Sequence, residues 1–461
     1  MLKSEKKIAL VELMKTVCNV FEISAGKISN LLDKWDVCAG APAYTVGGIY
    51  TSWGWTDWTA GFFLGMPLLF YDYSGERNFL LTAKTKIFNT MSPRLTHVGT
   101  HDHGFNVVST YGTLLRLMRE GRMEYEEFER NYVELALKVS GAVQALRWMS
   151  LSESLGYIYS FCGKHSLFVD TIRSLRSLAL AYQLGHVLIT DGDKKVNLLG
   201  RLLQHAESTA LYNVYFGTGR DLYDVRGRVS QEAIFDIESK TFRCPSTQQG
   251  YSPYSTWMRG LAWALCGFAE ELEFLQGITS PELLEWGGKE KILDRFVQVA
   301  EATADFYIAN TPTDGIPYWD TGAPGLVKIG NFLDCPADPF NDFEPVDSSA
   351  AAIAAQGLVR LGTYLLGRRN EKGEDYLRAG LTIARNIFSE PYLSTDMNHE
   401  GLLLHSVYHR PKGWGYMRPG EKPPVGESSM WGDYHALELA LLIYRISAGK
   451  TYLCFFHRND V

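Results

Sequence analysis

Residues 347–355 run Asp-Ser-Ser-Ala-Ala-Ala-Ile-Ala-Ala and carry the clearest indication of fold class in the chain. The side-chain oxygen of Asp347 can accept hydrogen bonds from the free backbone N–H groups of a first helical turn, so a helix is expected to begin here. The alanines that follow have high helix propensity, and their small side chains allow a neighbouring helix to approach closely. This stretch therefore predicts a closely packed helix.

Helical periodicity extends outward from this stretch through most of the sequence. Apolar residues recur at spacings of three and four, and almost no segment shows the strict alternation of a half-buried strand. The sequence therefore predicts an all-α fold. The twelve predicted helices span residues 5–34, 58–73, 76–91, 104–120, 124–149, 168–185, 194–210, 255–276, 288–309, 348–366, 371–389 and 432–447.

The connections between these helices alternate in length. Short turns, such as residues 73–76 (Tyr-Ser-Gly-Glu), alternate with long segments rich in glycine, proline and aromatic residues. The long segments are residues 35–57, 150–167, 211–254, 310–347 and 390–431. This order favours helical hairpins, with the long loops gathered at one end where they can carry function.

Twelve helices in hairpins fit a closed double ring, an (α/α)6 barrel of six inner and six outer helices. No Gly/Ser, proline-rich or charged linker divides the chain, so residues 1–461 are expected to form a single domain. The order of helices also permits an open helical solenoid. Against the solenoid, the sequence contains no repeat of fixed period.

The composition argues against several classes of protein. The 461 residues are 46% hydrophobic and carry a net charge of −7, which suits a globular chain and offers no basic field for nucleic acid. No apolar run approaches the ~20 residues of a membrane span, and Glu12 and Lys15 interrupt the apolar stretch near the start where a signal peptide needs a continuous one. The seven cysteines form no C-x-x-C pair, which indicates reduced thiols and a cytoplasmic protein.

Aromatic residues make up 13% of the chain, including 11 Trp and 25 Tyr. Flat rings that line a cleft suit the faces of sugars, although large cores also use them. Trp319 precedes Asp320, and Trp431 lies two residues before Asp433. Each pairing is typical of a stacking platform with a hydroxyl acceptor, and each equally fits a buried anchor.

Two aspartates stand near the starts of predicted helices. Asp102 lies between His101 and His103, and these imidazoles make a poor metal site because a helix directs residues i and i+2 to different faces. Asp170 follows an apolar pair, where partial desolvation would suit a general acid. Either aspartate could instead cap its helix.

Arg259 and Trp263 form a third candidate. They are four residues apart on one predicted helix, so the guanidinium and the indole share a face. They can stack as a structural cation–π pair, or they can together receive a carboxylated sugar.

Taken in order, eight segments resemble the unsaturated glucuronyl hydrolases of glycoside hydrolase family 88, over roughly residues 58–431. Each segment is short, but eight in register are specific. They are Asp57-Trp58-Thr59-Ala60-Gly61-Phe62, His101-Asp102-His103-Gly104-Phe105, Asp170, Gln249-Gly250-Tyr251, Ser255-Thr256-Trp257-Met258-Arg259-Gly260, Tyr318-Trp319-Asp320, Asp347-Ser348-Ser349-Ala350-Ala351-Ala352-Ile353 and Trp431-Gly432-Asp433-Tyr434.

The resemblance implies an (α/α)6-barrel catalytic domain spanning residues 1–461. Its implied substrates are oligosaccharides left by polysaccharide lyases, which carry a C4=C5 double bond in a terminal uronic acid. It implies that Asp170 is the general acid and base and that Asp102 assists it. The implied sugar-binding residues are Trp58, His101, Asn213, Gln249, Trp257, Arg259, Trp263, Trp319 and Trp431.

Hydration of such an enol ether needs no metal or other cofactor, so none is expected. The expected partner is the unsaturated oligosaccharide, with no nucleic acid and no membrane, and the expected state is a monomer or homodimer. Members of the family commonly have His where Asn213 stands and Gln where Leu261 stands, and residues 321–346 form a longer segment than usual. These differences leave the source polysaccharide open, together with two alternatives: a related barrel acting on an ordinary saturated glycoside, and a carbohydrate-binding protein without catalysis.

Overall fold

The protein is described by a computed structural model that covers residues 1–4, 10–36, 40–52, 57–415 and 426–456. Its α-helices are α1 (Leu10–Lys34), α2 (Ala60–Ser74), α3 (Arg77–Thr90), α4 (Ser92–Leu95), α5 (Thr113–Arg119), α6 (Glu127–Leu146), α7 (Thr171–Ser174), α8 (Arg176–Gln183), α9 (Leu198–Tyr212), α10 (Met258–Gln276), α11 (Lys289–Ala309), α12 (Leu326–Ile329), α13 (Ser348–Gly367), α14 (Lys372–Ile387) and α15 (Met430–Ser447). Residues Gly104–Gly112 form π-helical turns that continue directly into α5. Short 3₁₀ turns occupy Asp57–Thr59, Asp191–Asp193, Pro281–Trp286 and Phe332–Asp334.

Short antiparallel strands lie in the loops between helices. They are β1 (Pro42–Val46), β2 (Ile49–Ser52), β3 (Trp148–Ser150), β4 (Gly156–Ile158), β5 (Ser166–Phe168), β6 (Leu188–Thr190), β7 (Lys194–Val196), β8 (Glu232–Phe235) and β9 (Phe242–Ser246). Three hairpins pair β1 with β2, β3 with β4 and β6 with β7, while β5, β8 and β9 form one sheet in which Phe168 pairs with Glu232. Because only two residues separate the end of β5 from the start of α7, this sheet fixes the position of Asp170.

The all-α prediction is confirmed, and each of the twelve predicted segments contains helix. The first residues of the predicted helix 5–34 lie outside the described ranges. The predicted helix 168–185 instead begins as strand β5 and breaks at Leu175, and the predicted helix 124–149 ends early, before β3. At that end Arg147 Nε donates to the carbonyl of Tyr159 at 2.7 Å, so a contact distant in sequence stops the helix.

Six helical units form an inner ring: α2, residues 104–119, α7 with α8, α10, α13 and α15. Every residue of α10 from Met258 to Leu275 is buried, whereas the outer helix α14 buries one face only. Inner units pack against each other in chain order, and α15 packs back onto α2. The ring therefore closes, which excludes the open solenoid and confirms the (α/α)6 barrel.

A glycine lies at each of the six contacts between inner units. The pairs are Gly61 with Asn106, Gly104 with Ser174, Gly267 with Arg173, Gly357 with Cys266, Gly432 with Ser349 and Gly65 with Tyr434. A Cβ atom on Gly61 would lie 2.3 Å from the Asn106 Cα, and one on Gly104 would lie 2.4 Å from the Ser174 Cα. These distances are too short for any side chain, so glycine permits the narrow radius of the ring.

Asp347 caps α13 as the sequence predicts. Its Oδ1 accepts hydrogen bonds from the N–H groups of Ser349 at 3.1 Å and Ala350 at 3.4 Å. By length and composition alone α13 is apolar enough to cross a membrane. It is an inner helix buried over nearly its whole length, and its apolar character is that of a core helix.

Paired charges fill the interior of the ring below the helix starts. We call Arg173, Glu270, Glu273, Arg360 and Glu438 the axial cluster. Arg173 Nη2 donates to Glu438 Oε2 at 2.7 Å, and because α7 and α15 are not ring neighbours this bond crosses the interior. Arg173 Nε also donates to Glu270 Oε2 at 2.9 Å. Burial opposes ionisation, but Arg173 and Arg176 hold the pKa of Glu438 well below its usual range.

Candidate active site

A narrow cleft opens at the end of the barrel where the inner helices begin. Several lining residues immediately precede an inner helix, as Trp58 precedes α2, Asp170 precedes α7 and Trp257 precedes α10. Since all inner units run in the same direction, their starts meet at this end. The lining residues are Trp58, His101, Asp102, Phe105, Phe161, Asp170, Gln248, Gln249, Trp257, Arg259, Trp263, Tyr408, His409 and Lys412.

The two aspartates singled out in the sequence meet in this cleft on either side of one imidazole. His101 Nε2 lies 3.3 Å from Asp170 Oδ1 and 3.5 Å from Asp102 Oδ1. The Asp102 carboxylate also accepts a hydrogen bond from the Thr100 hydroxyl. Because both oxygens contact the same nitrogen, Asp170 Oδ1 and Asp102 Oδ1 cannot be farther apart than the sum of their distances from His101 Nε2. The two carboxylates are therefore close neighbours.

Burial and charge shift the titration of this group. Burial raises the pKa of Asp102, and the neighbouring Asp170 raises it further, against the opposing effect of His101. Burial of His101 disfavours the imidazolium, but Asp102 and the hydrogen bond to Asp170 outweigh it and raise the pKa of His101. The site thus pairs a carboxyl that holds its proton more tightly with an imidazole that is more readily charged.

Aromatic rings form the wall of the cleft beside the carboxyls. Trp58 stacks on Trp431 with ring centroids 5.1 Å apart and an interplanar angle of 26°. Phe105 lies 6.2 Å from Trp58 and 4.9 Å from Trp263. Trp431 is fully buried and donates its indole N–H to Ser349 Oγ at 3.1 Å, so it supports Trp58 from behind and does not line the cleft.

Of the two alternatives for Arg259 and Trp263, stacking of the guanidinium on that indole is not what the structure shows, because Arg259 stacks on other rings. The Arg259 guanidinium carbon lies 4.7 Å from the ring centre of Trp257 and 5.1 Å from that of Trp431. Its Nη1 donates to Asp347 Oδ2 at 2.7 Å. Trp263 lies instead 5.7 Å from Arg173 of the axial cluster. Spacing along one helix could not reveal this, because the partners of both side chains come from other parts of the chain.

Arg259 therefore acts mainly as a structural clamp. Besides Asp347, it donates from Nη2 to the carbonyl of Tyr408 at 2.7 Å and weakly to Gln249 Oε1 at 3.4 Å. Burial lowers the pKa of Arg259, against the opposing effect of Asp347. These bonds hold the segment around Tyr408 against the start of α10.

Lys412 is a cation in the cleft that has fewer protein partners than Arg259. It lines the cleft with its Nζ 4.7 Å from the ring centre of Trp414, and within the described part of the chain no carboxylate lies within ion-pairing distance of it. The neighbouring His409 is held neutral near pH 7, because burial lowers its pKa to about 4. An anionic ligand group entering the cleft would find Lys412 before the engaged Arg259.

Three residues implied as sugar contacts lie away from the described cleft lining. Asn213 is fully buried, and its Nδ2 donates to the carbonyl of Ser230 at 3.1 Å. Trp319 is buried with its indole N–H donating to Glu344 Oε2 at 2.8 Å, so its role is that of an anchor. Trp431, the support for Trp58, likewise stands behind the wall.

His103 turns away from the cleft. Its Nε2 bonds the carbonyl of His97 at 2.8 Å and its Nδ1 faces Ser140 Oγ at 3.1 Å. Burial lowers the pKa of His103 to about 4. The two imidazoles that flank Asp102 therefore face different surroundings, and among the described residues no three His, Cys, Asp or Glu side chains are grouped as metal ligands.

Sequence reasoning missed several lining residues. Phe161 stacks on His101 with centroids 5.9 Å apart, and Gln248, Tyr408, His409 and Lys412 complete the rim. All five lie in the long segments 150–167, 211–254 and 390–431, which the loop-length pattern marks as functional. Nothing in the local pattern distinguishes them from their neighbours.

Comparison with known proteins finds relatives that are named unsaturated glucuronyl hydrolases. No family model matches the chain. The chain is 25% identical over 385 residues to an unsaturated glucuronyl hydrolase of Formosa agariphila, covering 83% of this chain and 78% of the relative. It is 27% identical over 409 residues to an unsaturated glucuronyl hydrolase of a Bacillus species, covering 86% and 89%.

The fold agrees with these sequence similarities. The crystal structure of the unsaturated glucuronyl hydrolase from Bacillus sp. GL1 superposes with a TM-score of 0.70, covering 97% of this chain and 100% of that one at 21% identity. Over most of its length the chain is similar to unsaturated glucuronyl hydrolases, as its sequence segments indicate.

Proposed function

We propose that this protein hydrolyses unsaturated uronyl oligosaccharides of the kind released by polysaccharide lyases. The observation that carries the proposal is the meeting of Asp102 and Asp170 around His101, on the floor of an aromatic-walled cleft. The similarity to unsaturated glucuronyl hydrolases supports it. Lys412 supports it further, because the terminal uronic acid carries a carboxylate that needs a cation in the cleft.

In this proposal Asp170 acts first as an acid and then as a base. Its carboxyl proton passes to C4 of the vinyl ether, which leaves an oxocarbenium-like cation at C5. Water then bonds to C5 and gives one proton to the Asp170 carboxylate, restoring the acid. The hemiketal so formed opens, and the neighbouring sugar leaves from the anomeric carbon. One carboxyl thus serves both proton transfers, unlike the two that flank the scissile bond of ordinary glycosidases.

Asp102 and His101 tune this step. Asp102, whose pKa is raised by burial, is placed beside Asp170 where it can form a hydrogen bond with water or with a sugar hydroxyl. The raised pKa of His101 favours an imidazolium, which steadies the carboxylate that Asp170 becomes after the first transfer. Trp58 and Trp257 offer flat faces to the sugar ring. The reaction requires neither a metal nor a redox cofactor.

We also propose that the protein works in the cytoplasm as one catalytic domain, as a monomer or homodimer. In support, the six cysteines within the described residues are unbonded thiols. A cytoplasmic enzyme of this kind would act on small lyase products after their uptake.

A panel of lyase-generated disaccharides tests the function directly. Unsaturated products from chondroitin, hyaluronan, heparin, gellan, xanthan and ulvan should lose the ultraviolet absorbance of the double bond on incubation with the protein. Mass analysis should show addition of one water and release of the neighbouring sugar. Turnover of a saturated aryl glycoside, with every unsaturated substrate left intact, would replace this proposal with an ordinary glycosidase.

A further inference from the structure

Five buried polar side-chain atoms behind the cleft have no protein hydrogen-bond partner within the described part of the chain. They are His101 Nδ1, Thr171 Oγ1, His205 Nε2, Thr209 Oγ1 and Asn213 Oδ1. The residues are inaccessible to bulk solvent, with at most 1% of any one exposed. Buried polar atoms are almost always hydrogen-bonded, either to protein or to ordered water, so these five require a partner.

Three of the five atoms lie along one face of α9. His205, Thr209 and Asn213 are spaced by four residues, and Asn213 keeps helical backbone angles at the end of the helix. Successive side chains are therefore about 6 Å apart along the helix axis. A single water molecule with a hydrogen bond of about 2.9 Å on either side spans that spacing.

This face of α9 is directed at the back of the active site. His205 Nδ1 accepts a hydrogen bond from the backbone N–H of Ile158 in β4 at 3.0 Å. Asn213 Nδ2 lies 3.5 Å from the carbonyl of Leu167 in β5, the strand that leads to Asp170. Helix α7, which begins with Thr171, also packs against α9.

The five atoms without protein partners include both hydrogen-bond donors and acceptors, so water molecules can bridge them. Because His205 Nδ1 accepts a hydrogen bond from the backbone N–H of Ile158, the ring proton of the neutral imidazole is on Nε2. Burial lowers the pKa of His205 to about 3. Asn213 Oδ1 can only accept, and the Thr209 hydroxyl can do both. His101 directs Nε2 to the carboxylates, which leaves Nδ1 to face the interior.

We propose that these five atoms bind a row of ordered water molecules behind Asp170, which we call the water file. The water file keeps the His101 ring oriented with Nε2 toward the two carboxylates. His205 and Thr209 are then positioning residues that act through His101, a role that rests on the proposed function. The charged and titratable groups that face His101 are Asp102, Asp170, Arg147 and His205.

A crystal structure of the full-length protein that shows ordered water tests the water file independently of any activity. Water oxygens are expected within hydrogen-bonding distance of His205 Nε2, Thr209 Oγ1 and Asn213 Oδ1. Direct protein partners for these atoms, or a dry space between α9 and β5, would overturn the inference.

Substitution at Thr209 tests the positioning role. Thr209→Val removes the hydroxyl and keeps the branched shape, and it should lower kcat on an unsaturated disaccharide about tenfold with KM unchanged, since one hydrogen bond is lost. The pH profile of kcat should shift because the environment of His101 changes, and Thr209→Ser should restore it.

Ser208→Ala is the matched control. Ser208 is buried on the same helix, but its Oγ donates to the carbonyl of Gly156 at 3.0 Å and lies outside the water file. The pH profile of kcat of Ser208→Ala should equal that of the wild type. An unchanged profile in Thr209→Val would refute the positioning role. If the wild-type protein turns over no unsaturated disaccharide, the proposed function fails. The water positions in the crystal would still show whether the water file exists.

Discussion

The cleft and the axial cluster both bury ionisable side chains inside one ring, yet they pair them differently. In the axial cluster, Arg173 places its guanidinium on two carboxylates, Glu270 at 2.9 Å and Glu438 at 2.7 Å. In the cleft, Asp102 and Asp170 share the single imidazole of His101 at 3.5 Å and 3.3 Å. Fully paired charges are held in one state, whereas an underpaired carboxyl can exchange a proton.

The pKa shifts show the same contrast. Glu438 is fully buried and the Asp102 side chain is 14% exposed, and burial alone raises the pKa of any carboxyl. Arg173 and Arg176 reverse that effect at Glu438, whose pKa falls, while His101 is too weak a partner to reverse it at Asp102, whose pKa rises. The more deeply buried carboxyl has the lower pKa because its partners are guanidinium groups, so the charged partner decides the direction of the shift.

The largest expected effect is at the cleft. Asp170→Asn should reduce kcat on an unsaturated disaccharide by about 10²–10⁴-fold, because the amide can neither give nor take the proton. The loss of ultraviolet absorbance measures it, and thermal unfolding should show that the variant still folds. Glu238→Gln, at an exposed carboxyl, should match the wild type. Near-normal turnover by Asp170→Asn would mean that the acid lies elsewhere.

Next in size is the loss of a buried pair from the axial cluster. Arg173→Met should lower the free energy of unfolding by about 3–5 kcal/mol, because Glu438 is left buried without its ion-pair partner. Glu270 loses its shortest ion pair and keeps only the longer contacts to Arg176 at 3.4 Å and Arg360 at 3.8 Å. Urea denaturation measures it. In the control Arg77→Met, which breaks an exposed pair with Glu124, the loss should stay below about 1 kcal/mol. Equal losses in the two variants would remove the distinction drawn above.

A smaller effect, on substrate binding, is expected from substitution of Lys412 in the cleft. Lys412→Ala should raise KM for an unsaturated uronyl disaccharide about tenfold, since one charge-assisted hydrogen bond is lost, with a lesser change in kcat. Lys412→Arg should recover most of the affinity. Lys450→Ala, at an exposed lysine bonded to the Tyr444 hydroxyl, serves as control and should leave KM unchanged. An unaltered KM in Lys412→Ala would assign the substrate carboxylate to another group.

The smallest expected effect concerns stability against pH. The folded protein binds a proton at Asp102 more tightly than the unfolded chain does, because the pKa is raised, so this group's contribution to stability falls as pH rises above about 4. His101, whose pKa is also raised, loses its contribution in the same direction at higher pH. The stability of the wild type relative to Asp102→Asn should therefore decline as the pH rises above about 4. A flat difference, like that expected for Glu238→Gln, would contradict the pKa shift.

Local sequence signals predicted the helices and the two aspartates of the cleft. Period and capping located the twelve helical segments, and the N-cap at Asp347 was placed correctly because a cap depends on a few neighbouring residues. The segments around Asp102 and Asp170 pointed to the residues that meet at His101. Helix spacing left open whether Arg259 stacks on Trp263, because it defines a shared face and gives no information about competing partners such as Trp257.

Other features had no local signal. Lys412 and His409 enter the cleft through a loop whose path depends on contacts such as Arg259 with the Tyr408 carbonyl. The axial cluster joins residues far apart in sequence, and a charged residue in a helical pattern looks the same whether it faces solvent or the barrel interior.

By itself the sequence determined where the helices form, which aspartates begin them and which class of enzyme the chain resembles, because each of these depends on residues close together along the chain. Only the tertiary structure decided that the ring closes through α15 on α2, that glycines such as Gly61 and Gly104 allow its narrow radius, and that one imidazole joins the two cleft carboxyls. The physical reason is that burial, charge pairing and close approach depend on which distant segments become neighbours, and that is settled only when the whole chain packs.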